Sequence, residues 1–207
     1  MKQRSIGKVY VKIAILICMM SFVLISISVY KDKEQWKDGE MIRHIFTKKV
    51  EQHRPLINKY AKDYQVAEHT DVLLAMMMQE SGGRGSDPMQ SSESLCGEVG
   101  CIEDVEESIE QGVRYFAKSL QAADGDVELA VQAYNFGLGF VNYVNEREGS
   151  FDQDIAIQFS KEMYENAEDQ SIYTCLREEA KQFDACYGDI YYARDVMAHK
   201  NEFAIKE

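Results

Sequence analysis

Proline is scarce in this chain: Pro55 and Pro88 are the only two in 207 residues, so long stretches can run as helix without interruption. Alternation of polar and apolar residues is missing, which argues against strands, and no internal repeat is present. No Cys-x2-Cys occurs, and His44, His53, His69 and His199 do not fall at ligand spacing, so no metal site is expected. Basic residues thin out after the start. Of 23, four (Lys2, Arg4, Lys8 and Lys12) precede residue 13, whereas all 35 acidic residues follow Tyr30, leaving that part with a net charge of −16. Such a surface argues against nucleic acid as a partner and against direct adsorption to anionic lipid or wall polymers.

What is present is enough for one core: an apolar content of 45% over this length suits a single compact domain with an appendage. The appendage is N-terminal. The run "IAILICMMSFVLISISVY", Ile13 to Tyr30, carries no charge and, with Val9 to Val11, is long enough to span a bilayer as a helix. The preceding basic residues place the N-terminus in the cytoplasm and everything after Tyr30 outside. The expected organisation is therefore a basic tip and transmembrane signal anchor over residues 1–30, a linker over 31–40 and a helical domain over 41–207. Single-pass attachment to the cell membrane is the expected location; cleavage after Ser28, with Ser26 and Ser28 as the small residues, would make the domain secreted. Extended, the linker reaches on the order of 35 Å. Cys18 is not expected to carry lipid, because bulky Ile17 precedes it and most of the apolar run follows it.

An external domain suits the four remaining cysteines, for which the two local pairings, Cys96 with Cys101 and Cys175 with Cys186, are expected among the three possible. Ile42, Ile45, Phe46 and Val50 share one helical face, and Pro55 restarts a helix bearing Leu56, Ile57, Tyr60, Ala61 and Tyr64. Thr70 or Asp71 is the expected cap of "VLLAMMMQES", whose apolar side chains go all the way round and mark a central buried helix. The stretch "GGRGSDPMQSSESLCGEVG" reads as loop. Asp104 with Glu107 forms a capping pattern ahead of Val105, Ile109, Val113, Phe116 and Leu120, and Asp126 opens a helix through Leu129, Ala130, Ala133 and Tyr134. Ile155, Phe159 and Met163 carry helical spacing beyond Phe151, and Glu103, Glu106, Glu107 and Glu110 read as a solvated face.

Against this background "QESGGRGSDPMQ", residues 79–90, stands out. A carboxyl at the C-terminal end of an apolar helix is desolvated and meets the negative end of the helix dipole, so both effects raise the pKa of Glu80. A carboxylic acid still protonated near neutrality can donate the proton that glycosidic cleavage requires. The glycines that follow are expected to clear side chains from the path of a bulky polymer.

At these residues the chain resembles the superfamily of goose-type lysozymes and lytic transglycosylases, and more closely the lysozyme-like wall hydrolases of Gram-positive bacteria and their conjugative elements. The resemblance rests on "QESGG", "DPMQSSES", "AYNFGLGFVNYV" and "YGDIYYARDVM", and covers roughly residues 40–198. It implies an all-α lysozyme-like fold, no cofactor, and peptidoglycan glycan strands as substrate, cut between N-acetylmuramic acid and N-acetylglucosamine. It makes Glu80 the catalytic acid, places Ser81 beside it, lines the glycan cleft with Met89 and Gln90, and gives Tyr134 and Asn135 the sugar-holding roles. Ile190 stands where the family pattern has proline, which puts the local turn in question. Asp87 and Glu93 are the candidates for a second carboxylate acting on water or stabilising charge. If neither serves, the sugar's own hydroxyl attacks and the product is anhydro, so muramidase and lytic transglycosylase both stay open; a glycan-binding assembly subunit without catalysis is the third reading. Related wall hydrolases often carry a further peptide-cutting domain, which is not expected here. A tethered enzyme of this kind suits local wall opening for a conjugation or secretion apparatus.

Overall fold

The computed structural model describes residues 39–147 and 149–204. The expected cytoplasmic tip, membrane anchor, cleavage site and most of the linker lie outside the described residues, and no described helix is long and apolar enough to cross a membrane. The chain divides into two compact units, Met1–Ile45 and Phe46–Glu207, and apart from the first residues of the opening helix everything described below belongs to the second. Its described residues are all-helical, without strands.

Helix α1 spans residues 39–51. After a short turn, Pro55 sits in the first turn of α2 (Arg54–Asp63), where its missing N–H has no partner to lose. A 3-10 segment (Ala67–His69) runs directly into α3 (Thr70–Glu80). That continuity leaves no gap for the expected cap: Thr70 and Asp71 are already helical, and no side chain caps the helix. The Thr70 hydroxyl instead lies 2.9 Å from the Ala67 carbonyl and from Asn58 Oδ1, while Asp71 accepts from Arg54 Nη1 at 2.9 Å.

Helix α3 is the axis of the core. Val72 to Met77 are six consecutive buried residues, as a helix apolar on every side requires. Each of the larger side chains contributes about 1.5–3 kcal/mol by leaving water. Two helices pack directly on it, α10 (Tyr192–Phe203), which lies along α3, and α2, while the long α5 (Val105–Ala122) packs on α2 and on the helix that follows it in the chain. Asp104 caps α5 by accepting from the Glu107 N–H at 3.0 Å, as expected, and Asp126 does the same for α6 (Val127–Phe136) through Leu129. Glu106 on the expected solvated face also reaches across to α2, meeting Lys59 at 2.7 Å and the Tyr60 hydroxyl at 2.8 Å. Helices α7 (Gly139–Glu146) and α8 (Gln153–Glu165) complete an aromatic cluster in which Phe136, Phe140 and Phe159 lie with ring centroids 5.0–5.3 Å apart.

Three local features differ from the sequence reading. The stretch read as loop holds a five-residue helix, α4 (Ser92–Cys96), too short to show any periodicity. Another short helix, α9 (Glu178–Gln182), lies between Cys175 and Cys186. Met163, the last position of the apolar stripe on α8, is 40% exposed. Both expected disulfides are present, Cys96–Cys101 and Cys175–Cys186.

Candidate active site

Glu80 is the last residue of α3, and the backbone beyond it folds back at once: the Ser81 N–H bonds the Met77 carbonyl, and the Gly82 N–H meets the Met77 and Met78 carbonyls. Ser81 is buried beside it, donating to the Pro88 carbonyl at 2.8 Å and accepting from the Arg84 N–H at 3.0 Å, so it closes the loop's base. Two of the three glycines have a packing reason instead of the expected clearance for a polymer, and only Gly85 has room around it. A Cβ at Gly82 would lie 2.9 Å from the Phe46 ring and one at Gly83 within 3.3 Å of Val50, so these residues are small because α1 packs on them.

Farther along the loop, Asp87 is the centre of a knot. Its Oδ1 accepts from the Ser108 hydroxyl at 2.6 Å and the Ser91 N–H at 2.9 Å, with the Ser91 hydroxyl at 3.3 Å. Its Oδ2 accepts from the Ser92 hydroxyl at 2.7 Å and the Ser92 N–H at 3.0 Å. Burial alone would raise its pKa, but these donors together hold it below the ordinary carboxylate value. Ser108 belongs to α5, so the knot ties the loop to that helix. Met89, expected in the cleft, has a fully buried side chain, and only its backbone faces the site: its N–H bonds Ser108 and its carbonyl accepts from Tyr134. Gln90 is exposed, with its amide turned back to the Asp87 carbonyl at 3.0 Å. Glu93 is exposed on α4.

Helix α6 brings the opposite side. Tyr134 donates its hydroxyl to the Met89 carbonyl at 2.8 Å, meets Tyr115 edge-on at 5.5 Å and lies parallel to Tyr192 at 6.4 Å. Asn135 does not point at Glu80; its Oδ1 accepts from the Asp189 N–H at 2.8 Å. One turn earlier, buried Gln132 donates to the Asp189 carbonyl at 2.8 Å and accepts from the Ala193 N–H at 3.1 Å. Two side chains of α6 thus clamp the turn that starts α10. Gly188 is required there, because its φ is +61° and a Cβ would fall 2.8 Å from Asn135 Oδ1 and from the Phe136 ring. Ile190, where proline was expected, is fully buried, and the turn is formed without proline because the Asp189 carboxylate accepts from the Tyr191 N–H at 2.9 Å.

This clamp presents Tyr192, a residue to which the sequence reading gave no role. Its hydroxyl donates to Glu80 Oε1 at 2.6 Å from an almost fully buried ring. The only sequence signal for it was the segment "YGDIYYARDVM", which marks the neighbourhood without saying which tyrosine faces the acid.

The electrostatics follow from this geometry. Burial pushes Glu80 up to about 7, the Tyr192 hydrogen bond pulls against that, and the negative charges of Asp87 and Asp189 add to the rise. Tyr192 and Tyr134 are themselves raised well above the ordinary tyrosine value, first by burial and then by the Glu80 charge, so both stay protonated donors. Near neutrality Glu80 is therefore about half protonated, held in a fixed position, and flanked by donors and not by cations. Among the described residues no group of three His, Cys, Asp or Glu side chains gathers as a metal site.

The chain matches the family described as Lysozyme-like over residues 47–200. It is 43% identical over 124 residues to the bifunctional muramidase/DL-endopeptidase CwlT of Bacillus subtilis (strain 168), a match covering 60% of this chain and 38% of that protein. The chain thus spans well under half the length of that relative. It is also 34% identical over 157 residues to the uncharacterized membrane protein YocA of the same strain, covering 73% of this chain and 68% of YocA. Among solved structures, a Staphylococcus aureus subsp. aureus Mu50 protein described as similar to lipoprotein, NLP/P60 family, superimposes with a TM-score of 0.65 at 35% identity, over 77% of this chain and 55% of that one.

Proposed function

The chain belongs to the lysozyme-like family, and from that premise we propose that it cuts the glycan strand of peptidoglycan at the β-1,4 bond between N-acetylmuramic acid and N-acetylglucosamine, with Glu80 as the acid. The observation that carries this reading is a carboxyl raised to about 7 at the end of the buried helix, with one oxygen fixed by Tyr192. The fixed oxygen accepts a hydrogen bond, so the proton to be delivered sits on the other, which is free to meet the leaving glycosidic oxygen. Tyr134 and the exposed Gln90 line the approach, while Ser81, Met89 and Asn135 act through the backbone they hold. The muramidase named in the Bacillus relative supports hydrolysis as the first reading.

A second reading, lytic transglycosylation, is favoured by a specific observation. Four donors engage the Asp87 carboxylate, two on each oxygen, and a base that activates water needs a free lone pair. Glu93, the other candidate, is exposed on α4 and is not among the charges that act on Glu80. A lone acid suffices when the sugar's own hydroxyl attacks. A non-catalytic glycan binder is disfavoured because a buried carboxyl is costly and gives a binder nothing.

Digestion of purified peptidoglycan by the native protein and by Glu80→Gln, with product ends read by mass spectrometry, tests the proposal. Reducing muramic ends that depend on Glu80 identify a muramidase and anhydro ends a transglycosylase; turnover that survives the substitution refutes the role of Glu80. Attachment to the membrane through residues 13–30, with the domain outside, is part of the same reading and is supported by YocA being named a membrane protein. A role in local wall opening for a conjugation or secretion apparatus rests on that tether alone; recovery of fully active protein from the medium would remove it.

A further inference from the structure

Arg177 lies in the segment closed by the Cys175–Cys186 disulfide, far in sequence from the catalytic helix. Its guanidinium forks onto Asp189, Nε to Oδ1 at 2.7 Å and Nη2 to Oδ2 at 2.6 Å, and Nη2 also reaches Asp195 Oδ2 at 2.7 Å. It lies over the Tyr191 ring at 5.5 Å, and Arg194, bonded to Asp195, covers the same ring at 3.9 Å. The Asp189 side chain is 9% exposed. A carboxylate that buried needs a cation or several donors. It is also the residue whose backbone is gripped by Asn135 and Gln132, and the Tyr192 N–H bonds back to its carbonyl at 3.2 Å. One side chain therefore supports both the charge balance of the turn and the turn that aims Tyr192 at Glu80.

We propose that Arg177 is a positioning residue for the acid: paired with Asp189 and held by the disulfide-closed segment, it screens the Asp189 charge from Glu80 and fixes the turn that carries Tyr192. This rests on Glu80 acting as the acid. The groups facing Glu80 are Tyr192 from α10, Tyr134 from α6, Asp87 from the loop after α3 and Asp189 from the turn before α10, which brings Arg177 with it. Asp87 keeps its charge, stabilised by hydrogen bonds from neutral donors, whereas the charge of Asp189 is met by an arginine. Loss of Arg177 leaves an uncompensated carboxylate near the acid. A like charge disfavours ionisation, so Glu80 would keep its proton to higher pH.

The experiment is the pH profile of kcat/KM on purified peptidoglycan for the native protein and for Arg177→Gln, Arg177→Lys and Arg177→Gln/Asp189→Asn, each checked for folding by thermal melting. Arg177→Gln is expected to move the alkaline limb upward by about one pH unit. Arg177→Lys keeps the charge without the fork and should leave the limb near its native place, and removing the Asp189 charge in the double variant should return it. A folded Arg177→Gln protein whose activity falls equally at every pH, or a double variant whose limb stays displaced, would overturn the proposal. Glu80→Gln in the same series separates the two readings: turnover in that variant removes Glu80 as the acid, whereas a Glu80-dependent activity with an immobile limb sinks only the role of Arg177.

Discussion

Replacing Glu80 by Gln should make the protein more stable above neutrality while abolishing its turnover. In the unfolded chain Glu80 loses its proton near its ordinary 4.5, but in the fold it holds that proton until about 7. Between those values the native state binds more protons than the unfolded one, so stability falls as pH rises, and above about 7 the deficit is constant. A tenfold change in a proton-binding constant corresponds to about 1.4 kcal/mol, which would give about 3 kcal/mol for the whole interval. Partial exposure of the residue screens part of this, leaving about 2 kcal/mol. Gln keeps an oxygen to accept from Tyr192 and carries no charge, so the hydrogen bond at 2.6 Å survives and the deficit does not. Thermal melts at pH 8 should show the variant about 4–8 °C above the native protein. At pH 4, where both states hold the proton, the two should converge. Equal melting points at pH 8, or a gain that persists unchanged at pH 4, would show that Glu80 is not held as a strained charge and would refute the argument.

Tyr192→Phe removes the one donor that stabilises the ionised acid, a charge-assisted bond worth about 1.5–3 kcal/mol, so the alkaline limb of the pH profile should rise by about one to two pH units. Asp87→Asn should cost about 1–3 kcal/mol in urea denaturation at pH 7, because an amide nitrogen faces donors that the carboxylate accepted. The sign is opposite to that of Glu80: Asp87 is held below its ordinary value, so its contribution is present above about 4 and is lost as pH falls through its lowered folded value, and the gap between native and variant should shrink in acid. Gly188→Ala should cost at least about 1–3 kcal/mol from the left-handed backbone and the crowding of Asn135 and Phe136, with a fall in kcat larger than any change in KM because the turn aims Tyr192.

Much of the helical framework was legible because its signals are local. The all-round apolar character of residues 72–78 marked the buried helix, and the Asp104 and Asp126 caps announced α5 and α6 three residues ahead of the N–H groups they bind. Glu80 was legible for the same reason, as a carboxyl at the end of that helix. What escaped were relations between distant segments. Nothing near Met89 says that Gly112 of α5 leaves room for its side chain, which turns an expected cleft residue into core. Gly82 and Gly83 read as clearance for substrate until α1 is packed on them. Thr70 looked like a cap because the preceding 3-10 turn has no periodicity to betray it. Tyr192 stood beside Tyr191 in the sequence, and only the clamp by Gln132 and Asn135 decides which of the two faces the acid.

The hydrogen bond between Tyr192 and Glu80 joins residues 112 positions apart, and the parts that aim it come from α6 and the turn before α10. No contiguous fragment ending before that turn can contain the finished acid. Contacts of such long sequence separation form late, since the loop between them must close first. The proposed cleavage therefore depends on the docking of α10: a chain emerging N-terminus first carries Glu80 early but does not hold the Tyr192–Glu80 pair until that helix docks. Any event that frays α10 from α3 would switch the acid off well before the rest of the core melts, so activity reports on the docking of that one helix.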